Sequence, residues 1–133
     1  MILLDTNVFV GAIAQDDGLH EKAENALASV TEPILLHEYV YIETLSVLAT
    51  RHGMDEVAKF LSLVTEQISR GGIEFALSDP EQLRRMTMLF IEQSKGVLSF
   101  TDVAILYLSQ YYEAMTFDKD LARSIEKQKK DRK

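Results

Sequence analysis

The 133 residues contain no cysteine and no tryptophan, and only two prolines and six glycines. Without thiols, disulfide frameworks and zinc–thiolate centres are excluded, and the cytoplasm is the simplest expected location. Long apolar runs are missing too. A Lys, Glu, Asp, Gln or His interrupts every hydrophobic segment well short of the roughly 18 residues a membrane span needs, so no membrane association is expected. The opening residues have neither the basic start nor the small-residue cleavage site of a secretory signal. Basic charge is scarce: 14 Lys and Arg stand against 21 Asp and Glu, a net −7. The segment 126–133, EKQKKDRK, carries five basic and two acidic groups, which leaves −10 on the first 125 residues. Such acidity argues against binding nucleic acid over a broad basic face. It suits an enzyme that gathers metal ions in an acidic cleft and touches phosphates through a few local cations. The basic end either assists such contacts or is simply a solvated helix terminus.

What is present is ordinary globular material, 47% apolar and 26% charged, enough for a single domain over 1–133. Residues 2–4 read as a short buried strand, followed at once by Asp5, Thr6 and Asn7. Helical spacing runs over Leu19–Val30, Glu38–Arg51 and Asp55–Arg70, the last stopped by Gly71-Gly72. Pro33–Leu36 reads as a short strand or an entry turn, and Ile73–Leu77 as a strand closed by Ser78-Asp79-Pro80. A helix then starts at Pro80 or Glu81 and runs through Gln93, and another covers Ser99–Tyr112. Ala114–Phe117 is a last strand, with a terminal helix from Leu121. Strands alternating with helices predict a three-layer α/β/α sandwich around a mainly parallel sheet of four or five strands. Ligands of such sheets gather beyond the carboxyl ends of the strands, where Asp5 and Asp118 both fall.

Two further acids are candidates to join them. Glu43 lies in a narrow polar sector of its helix with Tyr39, Ser46 and Thr50, beside a broad face of Tyr41, Ile42, Leu45, Leu48 and Ala49. It faces either a cleft or solvent. Asp102 follows Ser99 by three residues, so it either completes a capping box or points off the helix start toward the strand ends. Asp118 is favoured as the inner acid of its segment, with Asp120 as a peripheral ligand or a cap. Thr116, two residues earlier, is placed to orient a neighbouring carboxylate. Convergence of Asp5, Glu43, Asp102 and Asp118 would need a cation to relieve their repulsion, and oxygen donors without a histidine cluster suit Mg²⁺ or Mn²⁺. His20, His37 and His52 read as surface or cap residues.

At these positions the sequence resembles the PIN-domain family, in LLDTNVFV, in IETLSVL around Glu43, in LSFTDVAIL around Asp102 and in MTFDKDL around Asp118. The order and intervals are similar to VapC-type toxin ribonucleases over about residues 2 to 123. The resemblance implies a PIN-like α/β/α domain that cuts RNA phosphodiester bonds with one or two Mg²⁺ or Mn²⁺ ions. It implies Asp5, Glu43, Asp102 and Asp118 as catalytic metal ligands, with Asn7 and Thr116 orienting the site. It also implies a homodimer and a small antitoxin that fills the acidic groove. Val103 departs from the alanine that many relatives have after the third acid, a packing variation. Cations available for phosphates are Arg84, Arg85, Lys95, Lys119 and Arg123, of which Lys119 and Arg123 are nearest the site in sequence. Two other readings stand beside this one: a PIN-like protein kept for binding, and an aspartyl-phosphate phosphotransfer or receiver domain using Asp5. Against the latter, no second acid follows Asp5 at the phosphatase spacing and no lysine stands at a later strand end. Residues such as Met54, Leu61, Met86, Met88 and Phe90 either fill the core or offer a surface to a second copy.

Overall fold

In the computed structural model, which describes residues 1–93 and 96–132, four strands form one wholly parallel sheet. They are β1 (Ile2–Leu4), β2 (Ile34–His37), β3 (Ile73–Ala76) and β4 (Glu113–Met115), in the order β3-β2-β1-β4. Lys95, one of the candidate cations, and Lys133 lie outside the described residues. Leu3 pairs with Leu35 on one side and Ala114 on the other, which makes β1 a central strand. Its three residues are all buried, so helices cover both faces, and the sequence there is continuously apolar instead of alternating.

The helices are α1 (Thr6–Ile13), α2 (His20–Ala28), α3 (Glu38–Arg51), α4 (Met54–Arg70), α5 (Pro80–Glu92), α6 (Phe100–Leu108) and α7 (Lys119–Asp131). α1 packs on α2, α3 and α4, while α6 packs on α5 and α7 and touches α3. α1 was absent from the sequence reading. It is buried along Thr6, Val8, Phe9, Val10 and Gly11, nearly all round, so no 3.6-residue pattern marks it. Boundaries that local chemistry signals fell close to expectation. Gly71 caps α4 with φ +80° and Asp79-Pro80 opens α5 through a capping box with Gln82. The α6 segment ends at Leu108 instead of Tyr112, because Ser109–Tyr112 turn directly into β4.

Two corrections concern helix faces. The core row of α3 is Val40, Thr44 and Leu48, whereas Ile42 and Ala49, assigned to the apolar face, are exposed. The row runs through a threonine, and counting apolar residues alone rotated the face away from it. Met86 is wholly buried, so it is core and not surface, whereas Met54, Leu61, Met88 and Phe90 remain exposed.

The chain lays β2 and β3 on one side of β1 and then returns to place β4 on the other. That reversal opens a crevice beyond the carboxyl ends of β1 and β4. The segments leaving these strands carry Asp5 and Asp118.

Candidate active site

Asp5 is the residue at which β1 becomes α1. Its N–H donates to the Met115 carbonyl of β4 at 3.0 Å, and its side chain caps α1 by accepting from the Thr6 N–H at 2.7 Å. The other carboxylate oxygen accepts from the Thr116 hydroxyl at 2.6 Å. That hydroxyl in turn accepts from the Asp118 N–H at 3.0 Å. Asn7 Oδ1 accepts from the Phe117 N–H at 3.2 Å, so both orienting candidates tie the α1 start to the segment after β4.

Asp5, Glu43, Asp102 and Asp118 line one cleft of about 300 Å³, together with Asn7, Asp17, Arg51 and Ser99 among others. Four distant segments thus bring their acids to one place, three of them through helix starts. Asp5 is the N-cap of α1 and Asp118 that of α7, accepting from the Asp120 and Leu121 N–H groups at 2.8 and 3.0 Å. Asp102 stands in the first turn of α6, where it exchanges hydrogen bonds with Ser99 in a capping box. Its two readings are therefore compatible: Oδ2 serves the box, and the residue lines the cleft. Positive helix ends and backbone donors make such a concentration of carboxylates tolerable.

Crowding still leaves a mark. Burial first, then the charges of Asp102 and Glu43, push the Asp5 carboxyl up to about 6 despite the donors from Thr116 and Thr6. Asp102 is likewise raised, mainly by burial and further by Asp118 and Glu43. All four acids are linked by these repulsions. Among the described residues no three Asp, Glu or His side chains are gathered closely enough to hold a metal ion between them. The donor chemistry nevertheless fits a hard cation. Asp102 Oδ1, Asp118 Oδ2 and both oxygens of Glu43 make no hydrogen bond among the described residues, and a bound cation would relieve the repulsion. No histidine lines the cleft among the described residues. His37 is buried as the N-cap of α3 and faces Ser78 Oγ at 2.8 Å, where burial lowers its pKa.

Other candidates stand farther out. Asp120 is exposed, pairs with Arg123 and is not among the lining residues; Lys119 is exposed at the first position of α7. Arg84 and Arg85 both pair with Glu81 on α5. Sequence reasoning missed Arg51 and Asp17. Glu43, Val47 and Arg51 recur every four residues on α3 and form its contribution to the cleft, a signal that was available. Asp17 reaches the cleft because His52 holds its loop, which local pattern does not reveal. Lys22 lies 4.7 Å over the Phe117 ring, next to Asp118.

The PIN domain model matches residues 2–126. This chain belongs to the PIN domain family. No curated protein matches it significantly. Among solved structures, VapC20 of Mycobacterium tuberculosis, described as a sarcin-ricin loop cleaving toxin, superposes with a TM-score of 0.81. The two share 16% identity over 93% of this chain and 95% of that one. VapBC2 from Rickettsia felis, solved bound to a DNA fragment from their promoter, gives a TM-score of 0.61 at 18% identity over 92% of each chain. At these identities the likeness establishes a common PIN fold.

Proposed function

We propose that this PIN domain, as one catalytic unit, is a divalent-metal-dependent endoribonuclease and the toxin of a type II toxin–antitoxin pair. The observation that carries the reading is the convergence of Asp5, Glu43, Asp102 and Asp118 on one cleft at the sheet's switch point. Fold likeness to a toxin that cleaves the sarcin-ricin loop supports RNA as the substrate class, and likeness to VapBC2 supports a small protein partner.

In this reading the four acids hold one or two Mg²⁺ or Mn²⁺ ions. The chemistry such ions supply when bound is polarisation of a phosphoryl oxygen and activation of water for attack. Asp5 contributes a rigid carboxylate, fixed through both oxygens, while Glu43, Asp102 and Asp118 present free oxygens to the cleft. Thr116 and Asn7 keep the segments bearing Asp5 and Asp118 in register. Asp120 is peripheral, and Lys119 and Arg123 serve phosphates outside the mouth. A receiver-type reaction is disfavoured because no lysine lines the cleft among the described residues.

A homodimer is part of the same reading. Leu77, Met88 and Tyr111, all more than half exposed, lie around hollows flanking Tyr107 near the edge strand β3. The same reading puts its site of action in the cytoplasm, where a toxin that cuts RNA meets its substrate.

The test is incubation of the purified protein with total RNA in Mg²⁺ or Mn²⁺, beside Asp5→Asn. Discrete fragments from the wild type are expected, with the variant slower by about a thousandfold or more, since a metal ligand acts directly on the transition state. Undiminished cleavage by a folded Asp5→Asn, or intact RNA with either metal, removes the proposal. Metal binding without cleavage would favour a PIN fold kept for binding.

A further inference from the structure

We infer that Arg51 is a substrate-binding residue of this cleft, gripping an RNA phosphate beside the one held over the four acids; the inference rests on the nuclease reading. Arg51 is the only Lys or Arg lining the cleft among the described residues, and α3 sets it two turns after Glu43 on the same face. Eight residues of helix span roughly 12 Å, so Arg51 and Glu43 stand at separate points along the wall of one cleft.

Its freedom separates it from the other arginines. Arg70 pairs with Glu66, Arg84 and Arg85 with Glu81, Arg123 with Asp120, and Arg132 bonds Gln110. Arg51 makes no ion pair and no side-chain hydrogen bond among the described residues, although it stands in an acid-lined cleft. The two acids of the neighbouring loop are already taken. Asp17, the acid lining the cleft from the α1–α2 loop, is already engaged by the Leu19 N–H at 2.9 Å and His52 Nε2 at 3.1 Å. Asp16 takes the other ring nitrogen of His52 at 2.9 Å. His52 thus occupies both loop acids and anchors the end of α3, leaving the planar fork of its neighbour open. A guanidinium fork matches two phosphate oxygens. A polyanion entering a cleft lined by carboxylates needs such a cation.

The experiment measures binding of a fluorescein-labelled 12-nucleotide single-stranded RNA of mixed sequence. It uses the Asp5→Asn protein in Mg²⁺, with and without Arg51→Gln or Arg51→Lys. Cleavage kinetics are followed on the otherwise wild-type chain. Arg51→Gln should weaken binding and raise KM about tenfold, with kcat within about threefold, as expected for one charged hydrogen-bonding group. The dependence of log Kd on log salt should flatten by about 0.7, one single-strand phosphate contact, whereas Arg51→Lys, which keeps the charge, should keep the slope with an intermediate Kd. A purely structural role at the helix end predicts a lower melting temperature with Kd and salt slope unchanged. That result, in a protein that cleaves RNA, overturns the assignment of Arg51 alone. A wild type that binds RNA without cutting it removes the nuclease reading, while the Kd comparison still decides Arg51. A wild type that neither binds nor cuts RNA removes both.

Discussion

The hydroxyl of Thr116 donates to Asp5 across 2.6 Å while accepting from the Asp118 N–H at 3.0 Å, so one side chain joins the exits of β4 and β1. Its rotor is fixed from both sides. Thr116→Val removes a donor from a buried anion and should cost about 1.5–3 kcal/mol at pH 7.5, the range for hydrogen bonds to charged groups. The loss should shrink near pH 4.5, where Asp5 is mostly protonated, and Thr116→Ser should recover most of it. Urea unfolding at the two pH values checks both points.

Asp5 itself should lower the stability of the metal-free protein at neutral pH. Its folded carboxyl titrates near 6 against 3.8 for the free group, so the folded state holds the proton more tightly. Below about pH 4 both states are protonated and no penalty exists. Between about pH 4 and pH 6 the unfolded chain is ionised while the folded state still holds the proton, so stability falls by about 2–3 kcal/mol, from roughly two units at 1.36 kcal/mol each, and levels off above 6. Asp5→Asn, which still caps α1, should therefore unfold at higher urea than wild type at pH 7.5 in chelator, with no advantage at pH 3.5. Equal midpoints at both pH values would contradict the cause assigned to the shift.

How much of this site could be read from sequence depended on how local each signal was. Asp102 and Asp118 stand at helix starts with short-range partners, and Asp5 ends an apolar run, so all three were visible. The end of β4 marked Asp118 as the inner acid, but the cap expected of Asp120 belongs to Asp118 too, which lines the cleft and accepts from the first N–H groups of α7. Glu43 was open between cleft and solvent because α3 gives no local cue to what it packs against. Arg51 was legible only as the next step of the four-residue row from Glu43 through Val47, whereas Asp17 joins the cleft from a loop that His52 holds some 35 residues away. α1 was invisible because a helix buried all round looks like any short apolar run.

A divalent ion that binds only the folded state should raise the melting temperature by mass action. With Mn²⁺ or Mg²⁺ the gain should be larger at pH 7.5 than at pH 5, where Asp5 retains its proton and competes with the cation. Chelator should reverse it, and Asp5→Asn should abolish most of it. Differential scanning fluorimetry across the two pH values reads all three outcomes.

Asp102 both completes a capping box and lines the cleft, two settings that mutation can separate. Its Oδ2 accepts from the Ser99 N–H, and Ser99 Oγ accepts from the Asp102 N–H, whereas Oδ1 makes no hydrogen bond among the described residues. Ser99→Ala breaks the capping box and leaves the carboxylate in place. It should cost about 1 kcal/mol of stability while the metal-induced rise in melting temperature persists. Asp102→Gln does the converse: glutamine is a customary partner in such a box, so stability in chelator should stay within about 0.5 kcal/mol of wild type. It removes the charge that faces Glu43 and Asp118, so the metal response and cleavage should both be lost. If instead Asp102→Gln unfolds early and keeps its metal response, the residue belongs to the helix start and the cleft is built from three acids.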